Sequence, residues 1–204
     1  MTKLVGFVGV SGSGKTTLCK QFEDAENVAF VKTTVSEIYK RMGKDPKVAM
    51  TIDERLDVQE VILKELKMQW AEAIGNNQDK EYVLTDRTPY CFIAFMLAEV
   101  SGYGELTEKQ NKRIVQYVMD CQCAGLMFDC IFHLPPFPPK EWKREEDGKV
   151  CAQTSPSYNL HFDFIMQGLM SSHQVHCYKI YGYPLGGRAQ YVNNILTERM
   201  KHSV

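Results

Sequence analysis

The octapeptide Gly9-Val10-Ser11-Gly12-Ser13-Gly14-Lys15-Thr16 constrains this chain more than any other feature. It fits the pattern G-x-x-x-x-G-K-[ST], in which a glycine-rich loop joins a strand to a helix and wraps its backbone around phosphate. The flanks agree with that reading. Lys3–Val10 is a compact β-prone run, and the stretch from about Lys15 to Glu23 reads as a helix. A polyphosphate needs many N–H donors at once, and three glycines within six residues permit the positive φ values and close approach that side chains would block. The helix start directs free N–H groups and its positive dipole end at the anion. Gly9, Ser11, Gly12, Ser13, Gly14, Lys15, Thr16 and Thr17 are therefore the expected phosphate-binding residues. Lys15 should reach the β- and γ-phosphates, and the Thr16 hydroxyl should ligate Mg²⁺.

Composition removes several alternatives. The chain has 204 residues with 24 basic and 25 acidic side chains, a formal net charge of -1, and no basic half or acidic tail. Such a balance gives no sign of an obligate nucleic-acid or membrane partner. The length suits one core and one domain over residues 1–204. No apolar run approaches membrane-spanning length, and the apolar start leads into the glycine loop instead of a small-residue cleavage site, so a cytoplasmic location is expected. Seven cysteines, an odd number scattered among apolar neighbours, suit buried free thiols in a reducing compartment. His173, His176 and Cys177 raise a metal question. Two histidines three apart need a helix to face together, however, and Val175–Ile180 looks like a strand, so zinc is not expected there.

Short apolar runs alternate with longer amphipathic stretches along the chain. Val28–Val35, Tyr82–Asp86, Phe128–Leu134 and His176–Tyr181 read as further strands. Thr34 with Glu37, Thr51 with Glu54 and Thr107 with Gln110 each fit a capping box that opens a helix. The middle helix would place Leu56, Leu63, Leu66, Trp70 and Ile74 on one face. Pro89 falls in the first turn of a helix through about Val100, and Ala189–Lys201 reads as the last helix. Strands alternating with helices predict an α/β fold, a mainly parallel sheet covered on both faces, with ligands beyond the carboxyl ends of the strands. Leu134–Pro156 is the one long irregular segment, and such a length suits a lid, a binding loop or a solvated charged loop.

A second site signal is Val83-Leu84-Thr85-Asp86-Arg87-Thr88-Pro89. An acid ending a buried strand suits a metal-bound triphosphate: Asp86 could hold the Mg²⁺ water shell or take the acceptor's proton. Arg87 could grip a phosphate with its planar fork.

With the loop near the amino terminus and Asp-Arg-Thr about seventy residues later, the chain resembles the small P-loop nucleoside and nucleotide kinases. It looks similar to thymidylate-kinase-like and nicotinamide-riboside-kinase-like domains, including small phage-encoded members. The resemblance implies a three-layer P-loop NTPase fold with a five-stranded sheet in the order 2-3-1-4-5, helices on both faces and a lid at about 134–156. It implies ATP and Mg²⁺ as cofactors, with Thr16 and Asp86 as the metal residues. Lys15, Asp86 and Arg87 become catalytic, Arg87 on the acceptor phosphate. The lid's cations would be Lys140, Lys143, Arg144 and Lys149, with Arg144 the catalytic one; Lys149 follows Asp147-Gly148, where related kinases often have arginine. The acceptor side maps onto Lys32, Thr33, Thr34 and Glu37. Gly186-Gly187-Arg188 falls where such kinases place the adenine loop, and a plain turn fits it equally.

The expected activity is transfer of the γ-phosphate of Mg-ATP to a nucleoside or nucleoside monophosphate, a homodimer being one expected form. A DNA or RNA acceptor is the alternative with the same chemistry, using Lys40, Arg41, Lys44 and Lys47 along a backbone. An ATP-driven switch or small ATPase is the alternative without transfer to an acceptor.

Overall fold

The computed structural model describes residues 1–33, 35–46, 48–136, 156–172, 176–182 and 184–201. Strand β1 (Lys3–Gly9) leads through the glycine loop into α1 (Lys15–Cys19), which tightens into a 3₁₀ turn at Lys20–Phe22. Then follow β2 (Val28–Val31), α2 (Val35–Arg41), α3 (Ile52–Asn76), β3 (Tyr82–Thr85), α4 (Pro89–Val100) and α5 (Glu108–Gly125). Strand β4 (Cys130–Leu134), α6 (Pro156–Ser172), β5 (Cys177–Lys179) and α7 (Leu185–Lys201) complete the order.

The five strands form one sheet in the order β2-β3-β1-β4-β5, with every adjacent pair parallel. The order is the one expected from the kinase resemblance. Strand β1 is central, with Gly6 paired to Thr85 on one side and Gly9 to Leu134 on the other. Side-chain alternation divides the core. Leu4 and Val8 face the larger cluster, which holds α3, α4, α5 and α6, whereas Val5 and Phe7 face the smaller one beside α1 and α7.

Local chemistry explains the two long helices on the larger face. Thr51 accepts from the Glu54 amide at 3.3 Å while the Glu54 carboxylate accepts from the Thr51 amide at 2.9 Å. Thr107 and Gln110 repeat this reciprocal cap at the start of α5. Each cap satisfies two amides that a bare helix start would leave unpaired, worth about 1 kcal/mol. From α3, Leu56, Leu63, Leu66 and Trp70 are buried as the periodicity predicts, and Ile74 is half-buried at the rim. The Trp70 ring meets Phe128 edge-on at 5.0 Å. Gly6 allows α4 to dock directly on β1, since a Cβ there would lie 2.2 Å from Cγ2 of Thr88.

Several expectations shift. Strand β5 is shorter than predicted, and α1 ends earlier. Helix α6, opened by Pro156, occupies a stretch that the sequence analysis left without an element. Helix α7 starts at Leu185, so Gly186-Gly187-Arg188 forms its first turn and not a loop; the Arg188 amide already bonds the Pro184 carbonyl at 3.1 Å. The lid expected at 134–156, apart from its ends, and Thr34 of the first capping box lie outside the described residues.

Candidate active site

The carboxyl ends of β1, β2 and β3 bring the site together. Beyond β1 the chain turns through three positive φ angles, 151° at Gly9, 77° at Gly12 and 87° at Gly14. These values belong to the left-handed region that glycine alone visits cheaply. Gly9 also needs its bare Cα: an added Cβ would lie 2.4 Å from the Leu134 carbonyl oxygen and 2.7 Å from the Ser13 hydroxyl. The bend is closed by Ser13 N–H donating to the Val10 carbonyl at 3.2 Å. Ser11, Gly12 and Thr17 are exposed, Gly14 and Thr16 half-buried, and Ser13 buried. The exposed rim of the loop thus lies open to a ligand while its base is welded to β4.

Lys15 is 7% exposed, and its Nζ donates to the Gly9 and Val10 carbonyls, each at 2.8 Å. Burial first, and then the nearby Arg87 guanidinium, lower its pKa to about 8, with Asp86 among the groups that oppose the shift. Desolvation disfavours the ammonium, and an incoming anion would restore it.

Asp86 follows β3 directly and is buried. Its Oδ2 accepts from the Thr16 hydroxyl at 2.6 Å and its Oδ1 from the Thr33 hydroxyl at 3.0 Å. The carboxylate therefore bridges the first turn of α1 and the chain beyond β2. The turn after β3 is held in its own right, because Thr85 Oγ1 donates to the Arg87 carbonyl at 3.3 Å and accepts from Trp70 Nε1 at 3.3 Å. Arg87 is half-buried beside this turn.

The donor set fits a small divalent cation. A hydroxyl and a carboxylate lie within hydrogen-bond distance of one another, both hard oxygen donors of the type Mg²⁺ takes alongside phosphate oxygens. The glycine turn with Lys15 at its base fits a nucleotide's phosphate tail.

The remaining expected site residues have the following surroundings. Thr33 is committed to Asp86, while Lys32 and Glu37 are exposed. Arg188 is buried in the first turn of α7, which packs on α1. Arg144, with Lys140, Lys143 and Lys149, lies outside the described residues, as do Thr34 and His173.

Among the buried polar groups that the sequence analysis did not single out are His133 and Arg55. His133 of β4 is fully buried, its Nε2 2.7 Å from Asp163 Oδ1 of α6, and its Nδ1 has no partner among the described residues. Arg55 interrupts the apolar face of α3, pairs with Glu99 at 3.2 Å and lies 5.3 Å from the Phe95 ring. The available signal was a charged or titratable residue in phase with apolar neighbours: His133 in Cys-Ile-Phe-His-Leu, and Arg55 three residues after Ile52 and three before Val58.

Comparison with known proteins accords with this geometry. The family model described as an AAA domain matches residues 4–182. No curated protein matches the sequence. Among solved structures, thymidylate kinase from Candida albicans aligns with a TM-score of 0.70 at 13% identity, covering 99% of this chain and 94% of that one. Deoxyadenosine kinase from M. mycoides, with dCMP and dCDP bound, aligns with a TM-score of 0.66 at 14% identity, covering 96% of this chain and 99% of that one. NadR protein in complex with NR aligns with a TM-score of 0.67 at 14% identity, covering 97% of this chain and 49% of that one. The chain belongs to the AAA-domain family and has the fold of the small P-loop nucleoside and nucleotide kinases.

Proposed function

We propose that this protein is a phosphotransferase that moves the γ-phosphoryl group of ATP to a nucleoside or nucleoside monophosphate. The observation that carries the proposal is the 2.6 Å hydrogen bond between Thr16 and Asp86, which joins the phosphate loop to an acid at the end of the neighbouring strand. The loop amides and Lys15 would hold the β- and γ-phosphates. Asp86 would orient the acceptor hydroxyl in line with the γ-phosphorus and receive its proton, or order the metal's water shell. Arg87 would steady negative charge on the acceptor or in the transition state. Thr16 and Asp86 would hold Mg²⁺, which would supply Lewis-acid neutralisation of the phosphate oxygens.

Charge placement supports a small acceptor over nucleic acid. Arg41 pairs with Glu65 and Lys44 with Glu54, so two of the four cations considered for a backbone track already have carboxylate partners. Net charge is -1, and among the described residues no helix is long and apolar enough to cross a membrane.

The test is label transfer from γ-labelled ATP across nucleosides, monophosphates and oligonucleotides, with Lys15→Ala as blank. Labelled nucleotide is expected. The AAA-domain match favours one competing reading, ATP hydrolysis that drives a partner. Rapid phosphate release that no acceptor alters, with no labelled product, would replace transfer by hydrolysis.

A further inference from the structure

The hydroxyl of Thr33 lies where a kinase reading of the sequence places the acceptor, yet it faces the acid. Strands β2 and β3 end in register, with Val31 opposite Thr85. Asp86 is the first residue after β3 and Thr33 the second after β2, and Thr33 Oγ1 donates to Asp86 Oδ1 at 3.0 Å. The other carboxylate oxygen accepts from Thr16. Asp86 is thus held from two sides, by a hydroxyl of the phosphate-loop helix and a hydroxyl of a different strand end.

We infer that Thr33 is a positioning residue, which fixes the Asp86 carboxylate so that its Oδ2 side, shared with Thr16, is presented to the magnesium of a bound nucleotide. The inference rests on the site reading above and assigns Thr33 away from the acceptor. Two observations converge on it. A carboxylate has two acceptor oxygens, and a second hydrogen bond, here from Thr33 to Oδ1, restrains its last torsion further than the Thr16 bond to Oδ2 alone. The bond also ties together the two chain segments that leave neighbouring strands, two residues past the end of β2 and one past the end of β3, where the last strand pair is Val31 with Thr85. Partners that orient a metal-binding group without touching the metal are worth on the order of ten- to a hundredfold in metal affinity or activity. A hydroxyl is enough for this task, since it donates one hydrogen bond and adds no charge to compete with the metal.

The test titrates Mg²⁺ into the full chain with a fluorescent ATP analogue and reads nucleotide binding, independently of any acceptor. Thr33→Val removes the donor at nearly constant volume, and Thr33→Ser keeps it. About a tenfold or larger rise in the half-saturating Mg²⁺ concentration is expected for Thr33→Val, with Thr33→Ser near wild type. With an acceptor found, kcat should fall while acceptor KM holds. An unchanged Mg²⁺ midpoint in Thr33→Val would overturn the inference, and so would a raised acceptor KM with the midpoint intact, which would return Thr33 to the acceptor. Thermal melting checks the fold, and Thr33→Ala replaces Thr33→Val should the latter melt early. Wild-type protein that binds Mg-nucleotide but labels no acceptor would sink the kinase reading alone, and the titration would still decide the role of Thr33. Wild-type protein that binds no Mg-nucleotide would overturn both.

Discussion

Asp86 and Asp163 are both buried aspartates near the carboxyl ends of the strands, and their surroundings differ in kind. Asp86 accepts from two neutral hydroxyls, Thr16 and Thr33, with Lys15 and Arg87 nearby. Asp163 accepts from Gln167 at 2.6 Å and lies 2.7 Å from the ring nitrogen of His133. Gln167 in turn accepts from Lys179 at 2.8 Å, so the second carboxylate belongs to a chain of polar contacts between β4, α6 and β5. A carboxylate held by hydroxyls is oriented without being neutralised, whereas one with an imidazole and an amide has its bonding needs met within the fold. Burial alone therefore does not mark a site. The partners decide.

The sharpest way to break this contrast is to remove the cation at the base of the loop. Lys15→Ala should lower turnover about a thousandfold while the circular dichroism spectrum stays native. Phosphoryl transfer within tenfold of wild type would deny Lys15 its role. Asp86→Asn should lower kcat about a hundredfold or more, measured under saturating nucleotide. Its midpoint in urea should stay at or above that of wild type, because a buried charge has been replaced by an amide. Asp163→Ala should do the reverse. Loss of about 2 kcal/mol in urea unfolding is expected from the stranded His133 and Gln167, with kcat within about twofold at a permissive temperature. A large kcat effect with little loss of stability would erase the distinction between the two acids.

Lys15 also gives a dependence on pH. Below about pH 8 it is protonated folded or unfolded, and burying the ammonium weighs on the fold. Between about 8 and its ordinary 10.5, the unfolded chain keeps the proton and the folded chain releases it, so this residue adds stability as pH rises. Urea midpoints compared between wild type and Lys15→Met across that window should show wild type gaining on the variant. The smallest effect belongs to the surface. Arg113 reaches Asp57 and Glu60 across α3 and α5, and these partners push its pKa up, yet Arg113→Ala should cost about 1 kcal/mol or less and diminish further in salt.

What was legible in advance follows the distance between the residues that make each feature. The phosphate loop is contiguous, and the caps at Thr51 and Thr107 span three residues, so their chemistry can be read along the chain. Strand order came from the resemblance that the loop and the Asp-Arg turn support. The partners of Asp86 could not be read in this way, because Thr16 and Thr33 lie 70 and 53 residues from it and meet it only through the sheet. Helix α6 was hidden behind the proline- and charge-rich segment before it, and its Asp163 and Gln167 blur an apolar stripe because they answer to His133 and Lys179. The start of α7 reads as a loop or turn in the sequence because two glycines stand at 186 and 187, whereas they open the helix.

Gly6 has a consequence for how this protein can vary. The Thr88 methyl and the Phe128 ring fill the space where its side chain would stand, at 2.2 Å and 2.8 Å from an added Cβ. Position 6 acts as a shim of zero thickness between the central strand and the helix that follows Asp86 and Arg87. Even a methyl inserted there would wedge that helix outward and carry the acid–arginine turn off its alignment, so drift at this residue is closed although no ligand ever meets it.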